Sequence, residues 1–317
     1  MPVAALFHQF AKARARMKSV RQHVFPLLLV FSGGASAGSL PPAAPTDSPL
    51  ISIIIDDLGD RLHDGKRVVL LPGQVTVSII PYTPFAKRLA LLAQINKKEI
   101  MLHLPMESMD ERYLGRGGLD ESMNEGRFIE TLHETLDAVP DIRGVNNHMG
   151  SRLTQDATRM GWLMAGLLRH GELYFIDSRT TSLTQAAKVA SEYGLDEGSR
   201  DVFLDDDKSA AKLQKQWDYL VRLAHRKGSA IAIGHPYPET IEFLQQHIPT
   251  LGNENIQLVP VSELLQWRQT RRSLAWQTQP SSSLLPRVVK NSKPSPSSIC
   301  CVAPVSTSSP PASTPVR

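Results

Sequence analysis

Two adjacent carboxylates, Asp56 and Asp57, follow directly on the apolar run Ile51–Ile55 and precede Leu58-Gly59. A hydrophobic core does not hold unpaired carboxylates, so such a pair binds a metal, trades a proton or faces water. Other polar residues gather in the same way, each group at or just after the end of a short apolar run. They are His103 with Glu107, then Asn146-Asn147-His148 with Ser151, Asp177 with Arg179, Arg200 with Asp201 and Asp205, and His235 after Gly234. Imidazoles and carboxylates are the side chains that ligate divalent metals and move protons near neutral pH. Each group also has a plainer reading. The aspartates suit an Asx-type turn or a helix cap, and Asn and Ser are ordinary turn residues. Glu107 suits the first turn of a helix begun by Pro105. Asp177 with Arg179 suits a structural ion pair or one that steers a catalytic group. His235 suits a cap before Pro236. Successive strand side chains face opposite ways, so both aspartates reach one cavity only through a sharp turn, which Gly59 would permit.

The elements that must position these groups alternate along the chain. Short apolar runs at Ile51–Ile55, Val75–Ile80, Ile100–His103, Gly144–Asn147, Tyr174–Ile176, Val202–Leu204, Ala230–Ile233 and Ile256–Pro260 read as strands. Between them, Pro84–Ile95, Asn124–Ala138, Thr154–His170, Ala186–Tyr193, Ser209–Lys227, Pro238–His247 and Val261–Thr270 carry helical periodicity. Alternation of this kind gives a parallel α/β architecture, a barrel or a doubly wound sheet. In a (β/α) barrel the strand C-termini share one face, so a single pocket would collect every polar group named above.

Six segments, in this order, resemble the divergent polysaccharide deacetylase family, relatives of the NodB-type carbohydrate esterases. They are Ile55-Asp56-Asp57-Leu58-Gly59, His103-Leu104-Pro105-Met106-Glu107, Asn146-Asn147-His148-Met149-Gly150-Ser151-Arg152, Ile176-Asp177-Ser178-Arg179-Thr180, Arg200-Asp201-Val202-Phe203-Leu204-Asp205 and Ile233-Gly234-His235-Pro236. The resemblance implies a distorted (β/α)7-type barrel and removal of acetyl groups from an N-acetylated polysaccharide or peptidoglycan-type glycan. It implies Asp57 as a metal ligand, Asp56 as general base and His235 as general acid, with Asp177 or another carboxylate raising the His235 pKa. Better-known deacetylases place two histidines four apart after the third strand. This chain has His103 and then Glu107, and His148 from the next strand end is the available substitute. Asp57, His103 and His148 would then form a His₂Asp set with an open position for water, which suits a divalent metal, zinc first. Glu107, Asn147, Ser151, Arg179, Arg200 and Asp205 are the expected substrate-binding or supporting residues.

Residues 1–37 combine five basic residues, no acid, the apolar run Val24–Phe31 and Ala35-Ser36-Ala37. That is the pattern of a cleaved signal peptide, with an uncleaved anchor as the alternative, and it predicts an exported periplasmic or envelope protein without a membrane span after cleavage. Residues 38–49 read as a linker, 50–268 as the domain, and 269–317 as a disordered basic tail. Ser and Pro make up 18 of the 37 residues from 281 onward. Residues 38–267 hold 23 basic against 31 acidic side chains, a net charge of −8 that argues against nucleic acid as a partner. The two cysteines, Cys300 and Cys301, are adjacent in the tail and offer no staple for the fold. A rival expectation from another class is a catalytically inactive barrel that serves as a glycan-binding or docking module.

Overall fold

A computed structural model of the chain describes residues 48–110 and 112–278. The segment read as a signal peptide, nearly all of the linker, and the Pro/Ser tail with its two cysteines lie outside the described residues. Among the described residues no helix is long and apolar enough to cross a membrane.

In chain order the elements are β1 (Leu50–Leu58), α1 (Leu62–Val69), β2 (Thr76–Ile79), α2 (Ala86–Ile95), β3 (Ile100–Met106), α3 (Glu125–Leu136), β4 (Ile142–Met149) and α4 (Ala157–His170). They continue as β5 (Tyr174–Asp177), α5 (Ala186–Glu192), β6 (Glu197–Ser199), β7 (Val202–Phe203), α6 (Ala210–Lys227), β8 (Ser229–Gly234), α7 (Pro238–His247), β9 (Gln257–Leu258) and α8 (Val261–Thr278). Every pairing is parallel, in the order β6-β5-β4-β3-β2-β1-β8-β7, with β9 added beside β1. The two edge strands, β6 and β7, are separated in sequence only by Arg200 and Asp201. That short link bonds both sides, Arg200 N–H donating to the Asp177 carbonyl on β5 and Asp201 N–H to Ile231 on β8. The sheet therefore curls until its edges meet at one extended segment, as the expected distorted barrel requires.

Alternation along the strands sorts the core into two layers. Ile51, Ile53 and Ile55 of β1 pack with the outer helices, whereas Leu50 and Ile54 face the interior with Met101, Ile176, Ile231 and Ile233. Burying each such side chain contributes about 1.5–3 kcal/mol, and a strand covered on both faces reads as a continuous apolar run. Val261, Leu264 and Leu265 of α8 join the interior layer.

Some elements differ from the sequence reading. Helix α1 and strand β6 were not anticipated, because α1 is polar on most positions and β6, Glu-Gly-Ser, has no apolar signal. Helix α8 continues to Thr278, ten residues into the stretch expected to be tail. The aspartates belong to β1 itself, since pairing with β2 advances from Ile55↔Val77 to Leu58↔Ile79 and so leaves one extra residue in β1. This is a β-bulge, a device that re-aims side chains at strand ends.

Candidate metal centre

Interior parity decides which polar residues meet. On β1, Asp56 extends the inward row of Leu50, Ser52 and Ile54. On β3 His103 follows Met101, on β4 Asn146 and His148 alternate with outward Val145, and His235 just past β8 follows Ile231 and Ile233. Strict alternation would turn Asp57 outward. It adopts φ +58 within the bulge instead, a left-handed conformation that Asp tolerates, and its carboxylate joins the inward set. The turn thus begins at Asp57 and continues through Gly59, which has φ +137. Gly59 has another duty, because a Cβ there would lie 1.9 Å from Thr83 Oγ1.

Asp57 Oδ1 lies 3.1 Å from His103 Nε2 and 3.0 Å from His148 Nδ1, and the two imidazole nitrogens are 3.2 Å apart. Despite these contacts Oδ1 is buried without a hydrogen-bond partner. Three atoms able to ligate, a carboxylate oxygen and two imidazole nitrogens, converge within 4.8 Å of one another, which matches the needs of a metal ion. Burial alone would raise the Asp57 pKa, but the two imidazoles outweigh it and hold the carboxyl far below the usual carboxylate range. Burial would lower the His103 pKa, yet Asp56 and Asp57 raise it to about 9.

A buried amide fixes the orientation of His103. Asn146 Nδ2 donates to Asp56 Oδ1 at 2.8 Å and to Ser178 Oγ at 3.2 Å, which leaves Oδ1 to accept from Ser78 Oγ at 2.7 Å. The reverse amide orientation would set oxygen against the Asp56 carboxylate. Since Oδ1 only accepts, His103 Nδ1, 2.8 Å away, is the donor, and a neutral His103 presents the Nε2 lone pair to Asp57 and His148.

His235 stands across the same cavity. Its Nδ1 bonds Asp205 Oδ1 at 2.9 Å, its backbone N–H donates to Asp205 Oδ2, and Thr240 Oγ1 donates to that same oxygen at 2.8 Å. Nε2 is therefore left facing Asp57 Oδ2 at 3.9 Å. Burial would lower the His235 pKa, but Asp205, with smaller help from Asp56 and Asp57, raises it. Gly234 leaves room beside His235. What comes close is Asp205, whose Oδ2 would be 3.3 Å from a Cβ at that position.

The cavity measures 520 Å³ and is lined by Asp56, Asp57, His103, His148 and His235, with Ser151, Arg179 and Arg200 at other points of its wall. Several expected residues stand elsewhere or act differently. Glu107 accepts from Glu121 N–H at 2.7 Å and lies 3.4 Å from Arg152 Nε, so it ties a loop outside the cavity, and His148 occupies the place beside His103. Asp177 has the outward parity of Phe175, which removes it from the proton-handling set. Its carboxylate accepts from Thr184 Oγ1 and from Arg179 N–H, not from the Arg179 guanidinium, and Asp205 holds His235 in its stead. Asn147 spends its amide between loops, donating to Met149 O and accepting from Ser178 N–H. Ser151 Oγ accepts from Met109 N–H. Ser78, Ser178 and Thr240 were not among the predicted site residues, and Asn146 was expected only as one of the polar groups at its strand end. The inward parity of Ser78 and Asn146 was a signal available in the sequence.

The sequence matches the model of the divergent polysaccharide deacetylase family over residues 53–265. The chain belongs to this family. The resemblance carried by the six segments is thereby borne out. This divergent polysaccharide deacetylase is 36% identical over 231 residues to YibQ, an uncharacterized protein of Escherichia coli K12, covering 73% of this chain and 72% of that one. An uncharacterized Haemophilus influenzae protein is also 36% identical, over 221 residues, covering 70% of this chain and 78% of the relative. The crystal structure of the uncharacterized protein ATU2773 from Agrobacterium tumefaciens C58 has the same fold, with a TM-score of 0.67 at 23% identity, covering 70% of this chain and 92% of that one.

Proposed function

We propose that this divergent polysaccharide deacetylase is a metal-dependent hydrolase that removes acetyl groups from an N-acetylated glycan of the cell envelope. The observation that carries the reading is the convergence of Asp57, His103 and His148, whose ligand atoms lie within 4.8 Å of one another around a buried, unpartnered carboxylate oxygen. A divalent ion held there, zinc first, supplies Lewis acidity to the acetyl carbonyl and lowers the pKa of a water. Asp56, buried beside His103 and anchored by Asn146, takes the proton of the attacking water. His235, fixed by Asp205 with Nε2 toward the cavity, protonates the leaving amine. Asn146 keeps His103 in the tautomer that ligates. The basic and apolar pattern of residues 1–37 supports export to the periplasm or envelope.

The test is metal analysis of the purified protein together with acetate release from chitooligosaccharides and peptidoglycan fragments. About one zinc per chain, lost in His148→Ala, and acetate release abolished in Asp56→Asn are the expected results. A protein that binds no divalent metal and releases no acetate overturns the reading. Full cellular function in Asp56→Asn would instead establish the non-catalytic, glycan-binding role.

A further inference from the structure

The wall of the cavity carries three arginines, Arg112, Arg179 and Arg200, as well as Asp56, Asp57 and Asp110. Of the three arginines that line it, Arg112 is paired with Asp110 at 2.5 Å, whereas Arg179 and Arg200 have no carboxylate within salt-bridge distance among the described residues. Arg200 is fixed through its own donors, Nε to the Ser178 carbonyl at 2.7 Å and Nη2 to the Arg179 carbonyl at 2.9 Å, with its guanidinium 4.8 Å from the Phe203 ring centroid. The two guanidiniums also sense each other. Burial and then the Arg179 charge lower the Arg200 pKa, against Asp56, Asp177 and Asp206, which raise it from a distance.

The loop that carries Arg179 is held firmly. Arg179 has φ +51, a region that a long L side chain occupies at a cost, and its N–H is bound by Asp177 while Arg200 takes its carbonyl. Thr180 Oγ1 donates to the carbonyl of Met149, itself at φ +55. The backbone is thus over-determined while the Arg179 side chain stays exposed at the cavity. A divalent charge in the proposed centre would balance Asp56 and Asp57, which leaves only the more distant charges of Asp177 and Asp206 to act on Arg200.

We propose that Arg179 and Arg200 form a subsite for an anionic group, a carboxylate or phosphate carried by the glycan close to the acetamido group. Guanidinium forks match the paired oxygens of both. Placing that anion on a glycan rests on the deacetylase reading above; the anion preference itself does not.

The experiment uses the full, zinc-loaded chain and three tetrasaccharides. One is neutral N-acetylglucosamine, one alternates it with N-acetylmuramic acid, and one carries a phosphate monoester. The expected result is a kcat/KM for acetate release about tenfold or more higher on one of the anionic oligomers, and the preferred one names the source of the anion. Arg179→Gln shrinks the anionic-to-neutral ratio toward one, and Arg200→Lys, which keeps charge but loses the fork, shrinks it partly. Calorimetric binding of the same oligomers to Asp56→Asn protein supplies a readout free of turnover. Absent acetate release with tighter, Arg179-dependent binding of an anionic oligomer overturns the deacetylase reading and keeps the subsite. Equal turnover of all three oligomers, unaffected by Arg179→Gln, overturns the subsite and keeps the reading. Neither turnover nor anion-selective binding overturns both.

Discussion

Both ends of the barrel hold carboxylates among strand residues, but only at the C-terminal end does a carboxylate oxygen, Asp57 Oδ1, stay without a hydrogen-bond partner among the described residues. At the N-terminal end of the strands, Glu99 accepts from Thr76 Oγ1, Tyr174 OH, and Ser262 through both hydroxyl and N–H. Asp201 accepts from Ile231 N–H at 3.0 Å and pairs with Lys227 and Arg268, each at 3.2 Å. At the C-terminal end, Asp57 Oδ1 touches two imidazoles and has no hydrogen-bond partner. An unsatisfied buried oxygen costs about 1–3 kcal/mol, and of the buried oxygens without a partner among the described residues Asp57 Oδ1 is the one set against two imidazole nitrogens. The comparison separates a structural network from a ligand site made of similar residue types.

The sharpest way to break that contrast is a pair of near-isosteric substitutions. Asp57→Asn tolerates the same left-handed backbone and removes one ligand. It should reduce zinc affinity and kcat/KM by more than the roughly 100-fold typical of residues that merely support a ligand. Above about pH 9, where the contact with His103 no longer contributes, thermal stability of the metal-free protein should remain close to wild type. Glu99→Gln should do the reverse, lowering stability by about 1–3 kcal/mol with zinc stoichiometry intact. Zinc loss in Glu99→Gln, or unfolding in Asp57→Asn, would show that the two ends are not distinct in kind.

Asn146 joins structure to ligand and should show both effects. Its amide serves Asp56, His103, Ser78 and Ser178. Asn146→Ala should weaken zinc binding about 10–100-fold and also lower stability in chemical denaturation, because four buried groups lose a partner. An effect on zinc alone would assign Asn146 wholly to the site.

The fold and half of the site were legible because strand ends are marked by abrupt changes in residue type. Ile55 to Asp56, Met101-Leu102 to His103 and Ile233-Gly234 to His235 are such steps, and parity carries each polar residue inward. What was not legible required knowledge of pairing. The bulge that turns Asp57 inward exists only relative to β2, and Asp205 reaches His235 only because the β7 segment lies beside β8. Asp177 ranked as a catalytic candidate by proximity to a strand end. The parity of Tyr174 and Ile176, both interior, would have set it outside. Helix α8 ran past its expected end because its last turns carry no single apolar face for a sequence pattern to follow.

The proton-donor side of the cavity refines the contrast further. Asp205 raises the His235 pKa against the lowering effect of burial, so His235 stays protonated to higher pH than a free imidazole. In Asp205→Asn the alkaline limb of the kcat/KM profile should move to lower pH, with kcat at its optimum reduced about 10–100-fold. An unshifted limb would remove His235 from the role of general acid. Zinc stoichiometry should not change, because Asp205 touches none of the three ligands.

The smallest expected effect is a slope in thermal stability with pH, and it isolates His103. The pKa of its imidazole is raised to about 9 in the folded, metal-free protein from the ordinary 6.5 of a histidine. A raised folded-state pKa contributes stability that is fully present below about 6.5 and is lost as pH rises through about 9. The Tm of the metal-free protein should therefore decline across that window, on the order of a few degrees. Zinc requires the neutral imidazole, so its affinity rises over the same interval and the gap between loaded and metal-free Tm widens. Tyr174 at the other end is pushed well above its ordinary range by burial and by Glu99, and does not titrate there. Glu99→Gln should consequently retain the decline, shifted bodily to lower temperature. Asp57→Asn should make it shallower, since the carboxylate in contact with His103 Nε2 is gone while Asp56 still raises the His103 pKa. A decline that persists undiminished in Asp57→Asn and vanishes in Glu99→Gln would place the titrating group at the wrong end of the barrel.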